Sequence, residues 1–391
     1  MNTNETLEPD LRAQILQACD ETFAETLRLS KLIHAHPELR FEEHRASMWL
    51  ADSLERSGFV LERGLGGLPT AFRGQIARGA GSHVTLLAEY DALEGLGHAC
   101  GHNLIGAMAT GAGLALARVS GLAGTLSVTG CPAEEGGGGK VMLLDAGAFA
   151  GVDAALMIHP FAHNVLAQPF LARAALEVTF HGRAAHAALA PHEGINALDA
   201  ANLFFAGLNA LRQHVTPDVR LHGVIQHGGD APNIIPAQTR LLVVARAARG
   251  EYLFENLLPR VRAVIDGAAM MTGCTASVRE PVPAYKDVRA NPVLLEVFRE
   301  VSNTLGREFV PEKPLESAST DLGNVSHALP TIHPYYSLGW DAQPHTPEFE
   351  RAAISPEGER CLRDGVRALA LSAATLLSNP QLVADAVAER G

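Results

Sequence analysis

The chain has little of what would mark a secreted, membrane-bound or nucleic-acid-binding protein. Its five cysteines, Cys19, Cys100, Cys131, Cys274 and Cys361, are odd in number and widely scattered. No disulfide framework is expected from such a set, and most of these residues read as buried thiols in a reducing compartment. Basic residues are the minority, 31 Lys and Arg against 43 Asp and Glu, for a net charge of -12. A broad cationic surface is therefore not expected, and nucleic acid and anionic lipid are poor partners. No apolar run reaches the ~20 residues that span a bilayer, and the longest uncharged helical stretch, Asn103 to Ala117, is interrupted by glycines. No membrane helix is expected. The opening MNTNETLEPD has neither the basic start nor the apolar centre of a secretory signal, which makes the cytoplasm the expected compartment. Several catalytic signatures are also missing. There is no G-x-S-x-G elbow and no G-x-G-x-x-G after a strand, and GGGGK at 136–140 lacks the first glycine of a phosphate loop.

What is present describes a globular enzyme-sized chain. Its 391 residues are 47% hydrophobic and 19% charged, enough for a large core, and at roughly 100–200 residues per domain they suggest two or three domains. Apolar spacing predicts helices over Leu11–Ile33 and Glu42–Leu54, split by His36-Pro37. Short apolar strands then alternate with helices: VTLLAE, the helix Leu104–Val119, TLSVTG, a helix near Val141–Leu144, and AALMIH. Such alternation argues for an α/β sheet. The rhythm changes after residue 171 to strand 176–181, helix 196–214, strands 220–226 and 240–245, helix 252–271 and strand 275–280. That order, β-α-β-β-α-β, is the signature of a ferredoxin-like unit. The expected architecture is a mixed-sheet α/β catalytic domain, 1–171 and 284–391, interrupted by an inserted ferredoxin-like α+β domain, 172–283.

Chemistry concentrates past the strand ends. His98-Ala-Cys100-Gly-His102-Asn103 follows VTLLAE and the acidic turn Glu89-Tyr90-Asp91, and a Cys and a His two residues apart can face one metal. Cys131-Pro-Ala-Glu134-Glu135 follows the next strand; adjacent carboxylates repel unless a cation or a proton relieves them. His159 ends AALMIH, and His345 lies far downstream in PHTPEF. Each signal alone has a bland reading as a buried thiol, a solvated turn or a structural histidine. Together Cys100, His102, Glu135, His159 and His345 supply five N, O and S donors, with Glu134 to spare. Two divalent ions roughly 3.5–4 Å apart could share such donors, as in aminopeptidase-type hydrolases. Glu134 would then be the general base for a metal-bound water. Cys100 could instead be a nucleophile with His98 or His102 as its base, but that leaves the glutamate pair and His159 without a role.

These residues resemble a known family, the dinuclear metallopeptidases that include aminoacylases, glutamate carboxypeptidases, and hippurate and auxin-conjugate amidohydrolases. The likeness runs from HPELRFEEH through AEYDALEGLGHACGHN, CPAEEGGGG and ALMIHP to HTPEFERAAISPEG, nearly the whole chain. HACGHN and STDLGNVSHALPTIHPYYSLG are most similar to the branch of aminobenzoyl-glutamate hydrolase and β-alanyl-lysine dipeptidase. The resemblance implies Cys100, His102, Glu135, His159 and His345 as ligands of two divalent ions, zinc first, manganese or cobalt as alternates. It implies Glu134 as base and Asp91 as the carboxylate that orients a ligand. It gives the inserted domain a lid and dimerisation role, with His186 reaching the partner subunit's site to steady an oxyanion, and Asn233 and Arg246 recognising a substrate carboxylate. One departure stands out: many relatives carry His-x-Asp where this chain has Glu89-Tyr90-Asp91. The expected function is hydrolysis of the amide bond of small dipeptides or N-acyl amino acids by a cytoplasmic homodimer. A metal-binding scaffold without activity, and a cysteine hydrolase using Cys100, are the alternatives.

Overall fold

A computed structural model describes residues 7–311 and 318–389; the first six residues of the polar N-terminal stretch lie outside that range. The described chain divides into two compact units, one formed by residues 7–169, 288–311 and 324–389, the other by 170–287 with 318–323.

In the first unit, α1 (Pro9–Ala35) starts with proline in its first turn and buries Ile15, Cys19, Phe23, Leu29 and Ile33 on one stripe. His36-Pro37 ends it, since the residue before proline is pushed out of the helical region. α2 (His44–Arg56) follows. The sheet is mixed, in the order β1 (Val60–Arg63), β2 (Phe72–Arg78), β4 (Gly124–Gly130), β3 (His83–Ala88), β5 (Ala154–Leu156), β11 (Thr331–Ile332). β3 runs parallel to β4 and β5, and β5 to β11, while β1 and β2 are antiparallel. α3 (His102–Ala117) is buried from His102 to Leu116. A helix apolar all round belongs inside a large core, and α3 packs between α1 and α11 (Pro356–Ser378). α4 (Gly139–Asp145), α8 (Pro292–Thr304), the short α9 (Leu322–Ser326), α10 (Pro347–Ala352) and α12 (Pro380–Ala388) complete the helices of these segments.

One expected strand is different. AALMIH does not run unbroken to His159: β5 stops at Leu156, and His159 opens β6 (His159–Phe161), which pairs in parallel with β12 (Tyr335–Ser337) as a separate two-stranded sheet. The backbone of Met157 still reaches Ile332, and His159 N–H donates to the Pro334 carbonyl. The chain thus changes partners within three residues, which an apolar run does not reveal.

The second unit is a four-stranded antiparallel sheet in the order β10 (Thr275–Arg279), β7 (Ala172–His181), β9 (Gln238–Ala247), β8 (Arg220–His227). Alternate residues of β7, from Ala172 to Phe180, pack in one core with α5 (Ala197–Arg212) and α7 (Leu258–Thr272). The Asn196 side chain caps α5 by accepting from Leu198 N–H. The expected helix 252–271 is interrupted: α6 (Gly250–Tyr252) passes into a π-helical turn, Leu253–Leu257, before α7. Pro259 lies just beyond and cannot donate to the carbonyl four residues back, so the ladder rearranges there. Among the described residues no helix is long and apolar enough to cross a membrane.

Candidate metal centre

The candidate donors of the first unit lie just past strand ends. Beyond β3 the chain passes Glu89 and Asp91 to Cys100 and then to His102, the first residue of α3. Gly101 between the two donors has φ +77, and a Cβ there would lie 2.5 Å from Pro160 Cγ, so glycine allows Cys100 and His102 to turn toward one space. Beyond β4, Ala133 at φ +60 bends the chain ahead of Glu134 and Glu135. His345 is also left-handed, at φ +65, and its N–H is tied to the Ala99 carbonyl at 2.8 Å. Of the three non-glycine residues in this costly region among the described residues, Ala133 adjoins the donors and His345 is one of them.

The ligand atoms gather in triplets whose members all lie within 4.8 Å of one another. One is Cys100, His102 and His159; another is Cys100, Glu135 and His345; a third is His102, Glu134 and Glu135. The structure therefore brings together every residue expected in the metal set, and Cys100 belongs to two of these groups.

Hydrogen bonds set which atom of each donor faces inward. His102 Nδ1 donates to Asp91 Oδ1 at 2.8 Å, leaving Nε2 fully buried with no hydrogen-bond partner. His159 Nδ1 donates to the Pro160 carbonyl at 2.7 Å, and its Nε2 stands 3.5 Å from Cys100 Sγ. The other oxygen of Asp91 accepts the Glu135 N–H at 2.8 Å, so one carboxylate aligns donors from two loops. Glu135 Oε1 lies 3.1 Å from His345 Nε2. An inward imidazole nitrogen without a partner, next to a thiol and carboxylates, is what a divalent cation satisfies. The donors fit two such ions.

The electrostatics agree with that chemistry. Burial first, then the Glu135 charge, push the Cys100 thiol well above its ordinary value, which makes it a poor free nucleophile. Burial and the neighbouring His102 lower His159 to about 4, so it is a neutral donor. Burial works against ionised Glu135, yet His345 and His102 outweigh it and hold its carboxyl below the usual range.

Two residues that were not expected in the site, Lys140 and Glu43, complete the setting. Glu89 has Oε1 2.5 Å from Lys140 Nζ with both side chains fully buried, and its Oε2 is 3.6 Å from His102 Nε2. The only sequence signal for Lys140 is a cation placed straight after four glycines, at the head of the apolar VMLL. Glu43, fully buried, accepts Thr70 Oγ1–H at 2.9 Å and Ala133 N–H at 2.8 Å and so pins the turn before Glu134. Burial, then the Asp91 charge, raise it from 4.5 to about 7. A carboxyl whose folded pKa is raised contributes stability that is present at low pH and lost as pH rises between the unfolded and folded values. Relative to Glu43→Gln, the metal-free wild type should lose on the order of 3 kcal/mol between pH 4.5 and pH 7, at about 1.36 kcal/mol per pKa unit. Urea melts of both proteins at pH 5 and pH 7.5 check this, and parallel pH dependences would refute it.

The second unit holds the other candidates. His186 is exposed and accepts at Nδ1 from the N–H groups of Ala188 and Leu189, so the neutral ring carries its proton on Nε2, ready to donate. Its loop is tied to that of Asn233, with Ala187 N–H to the Asn233 carbonyl at 3.0 Å and Ile235 N–H to the Ala185 carbonyl at 2.9 Å. Arg246 does not join them. It lies near the far end of β9, and the run from Gln238 to Arg246 is roughly 26 Å at about 3.3 Å per residue. Asn233 precedes the Gln238 end of β9, and Arg246 lies toward its other end.

Comparison with known proteins agrees with this architecture. Residues 173–268 match the model of a peptidase dimerisation domain. The chain is 38% identical over 391 residues to Xaa-Arg dipeptidase of Mus musculus, covering 95% of this chain and 90% of that protein. It is 39% identical over 266 residues to one subunit of the p-aminobenzoyl-glutamate hydrolase of Escherichia coli, covering 62% of this chain and 55% of that one. Among solved structures, a dinuclear metal binding peptidase of the M20 family from Bacillus subtilis superposes with a TM-score of 0.70 at 21% identity, over 92% of this chain and 99% of that one. An aminobenzoyl-glutamate utilization protein from Klebsiella pneumoniae superposes with a TM-score of 0.75 at 22% identity, over 92% and 97%. The chain belongs to the M20 peptidase family and is a metal-dependent hydrolase of amide bonds.

Proposed function

We propose that the protein cleaves the amide bond of small dipeptides or N-acyl amino acids with a pair of divalent ions, and that it works as a cytoplasmic homodimer. The observation that carries this reading is the pair of donor triplets sharing Cys100, with Glu134 beside them. The first set would be Cys100, His102 and His159, the second Cys100, Glu135 and His345. A thiolate, imidazoles and one carboxylate suit zinc best, with manganese or cobalt as alternates. When bound, such ions supply Lewis acidity, lowering the pKa of water and polarising a carbonyl. Glu134 takes the proton of the attacking water and passes it to the leaving amine. Asp91 keeps His102 and Glu135 aligned. Arg246 offers a guanidinium fork to the substrate carboxylate, and a second copy contributes Asn233 to that carboxylate and His186 as donor to the oxyanion. The length of β9, with Arg246 toward one end and the His186 and Asn233 loops joined ahead of the other, supports sharing the site between two copies. All five cysteines are free and buried, which suits a reducing compartment.

Purified protein should carry about two equivalents of divalent metal and hydrolyse some member of a panel of β-alanyl, aromatic-acyl and dipeptide amides, with activity lost to chelator and restored by metal. A metal-free protein that stays inert after reconstitution would overturn the reading in favour of a scaffold. Chelator-resistant activity lost on alkylation would favour Cys100 as nucleophile.

The dimer has its own test. β8 is an edge strand whose Val224 and Ile225 are 58% and 40% exposed, and an apolar open edge invites pairing with another chain. Changing both to Lys should convert the dimer to monomer in sedimentation and lower activity with it. A wild-type chain that is monomeric and fully active would refute both the dimer and the shared site.

A further inference from the structure

The sheet face of the second unit turned away from α5 and α7 carries three arginines in one row. Arg173 on β7 is the register partner of Arg246 on β9, and Arg246 is the partner of Arg220 on β8. Residues opposed in this way keep their Cβ atoms about 4.5–5.5 Å apart, and like charges so placed repel. The three guanidinium groups meet that repulsion differently. Arg220 is exposed and turns to backbone, its Nη1 donating to the carbonyls of Pro217 at 2.7 Å and Val219 at 2.9 Å. Arg246 is half-buried; Nη1 donates to Ser319 Oγ at 3.2 Å, and Nε is buried without a hydrogen-bond partner. Arg173, also half-buried, rests its guanidinium 5.4 Å from the centroid of the Tyr285 ring. Among the described residues no carboxylate pairs with Arg173 or Arg246.

Two adjacent guanidinium groups partly withdrawn from water, without a counter-ion, are costly unless an anion completes them. Burial, then the charge of Arg173, lower the pKa of Arg246. His222, two residues along β8 on the same face, is likewise lowered by burial and then by Arg246 and Arg173. The local field is positive, and a neutral His222 adds no further charge.

We propose that Arg173 and Arg246 form a seat for two carboxylates, so that the preferred substrates are amides whose leaving residue is a dicarboxylic amino acid, glutamate or aspartate. This rests on the reading that Arg246 receives the substrate carboxylate. Arg246 then takes the α-carboxylate and Arg173, one strand over, takes the side-chain carboxylate. Glutamate and aspartate place their second carboxylate one or two methylenes beyond the α-carbon, a span that matches neighbouring strands. A leaving residue with a cationic side chain meets like charge at Arg173 and is rejected. The pair thus separates the substrate class named for one relative, aminobenzoyl-glutamate, from that named for another, an Xaa-Arg dipeptide.

The test holds the acyl group constant and varies the leaving residue among glutamate, glutamine and arginine with the metal-loaded enzyme. Wild type should favour glutamate over glutamine by about tenfold in kcat/KM, the size of one hydrogen bond to a charged group, and arginine should be poorest. Arg173→Gln should bring the glutamate-to-glutamine ratio close to one through KM, and Arg173→Lys should restore part of it. A wild type that prefers glutamine or arginine, or a ratio untouched by Arg173→Gln, overturns the proposal while leaving the amide hydrolase standing. If no amide is cleaved, the functional reading has failed, and calorimetry with glutarate and butyrate decides the seat alone. Tighter binding of glutarate, lost in Arg173→Gln, supports it; equal binding overturns it. Should Arg173→Gln not fold, the wild-type ratio and Arg173→Lys still decide.

Discussion

Glu134→Gln should abolish turnover while leaving the metals in place. The side chain is half-buried, and its carboxylate lies within 4.8 Å of the donor atoms of His102 and Glu135. Glutamine keeps the shape and most of the hydrogen bonding of glutamate, so the fold and the five other donors should be unaffected. What it loses is the ability to hold a proton between attack and departure of the amine. Removing a positioned general base costs about 10²–10⁴-fold, and kcat should fall by that factor with KM little changed. Metal content by mass spectrometry should stay at the wild-type level in the same preparation. A variant with near wild-type kcat would remove Glu134 from the proposed chemistry. A variant that lost its metal would make Glu134 a ligand instead.

Cys100→Ala should have an equally large effect by a different route. Cys100 shares one triplet with His102 and His159 and another with Glu135 and His345, so its loss leaves two donors in each. Bound metal should fall from about two equivalents to below one, with activity following, because a catalytic site holds its ion with three protein ligands. A pH dependence accompanies this. Burial and Glu135 hold the free thiol protonated well above the usual range, and a thiol must lose its proton to bind a metal. Loading therefore releases a proton, and the metal concentration for half-loading should rise by up to about tenfold for each unit the pH falls. Titration of the chelated protein at several pH values checks the slope, and a pH-independent affinity would argue that Cys100 is not a ligand. An unchanged metal content in Cys100→Ala would have the same meaning.

Much of this arrangement could be read from the sequence because it is local. Cys100-Gly-His102 and Glu134-Glu135 are adjacent donors on loops that follow short apolar strands, and a glycine between two donors is legible as a turn. The alternation of periods also separates the mixed sheet from the β-α-β-β-α-β unit. The break in AALMIH was not legible, since Met157 and Ile158 are as apolar as the strand before them, and the change of partner from Ile332 to Pro334 and β12 is a long-range event. The π turn before Pro259 escaped for a similar reason: its apolar residues keep a helical spacing. Lys140 escaped because a lysine in sequence reads as surface, and its burial depends on Glu89, fifty-one positions away.

By itself the sequence determined which chemistry is available: a thiol, two imidazoles and two carboxylates past strand ends with a third imidazole far downstream, no phosphate loop, no serine elbow, and an inserted unit of a different rhythm. Those are properties of residue type and spacing, which neighbouring residues impose on one another. Only the tertiary structure decided how they combine. It gave Cys100 to two triplets, set Asp91 between His102 and Glu135, paired Lys140 with Glu89, and placed Arg246 beside Arg173. Each of these is a distance between residues well separated in the chain, and such distances are set by which strands pair and how helices pack, which no local spacing records.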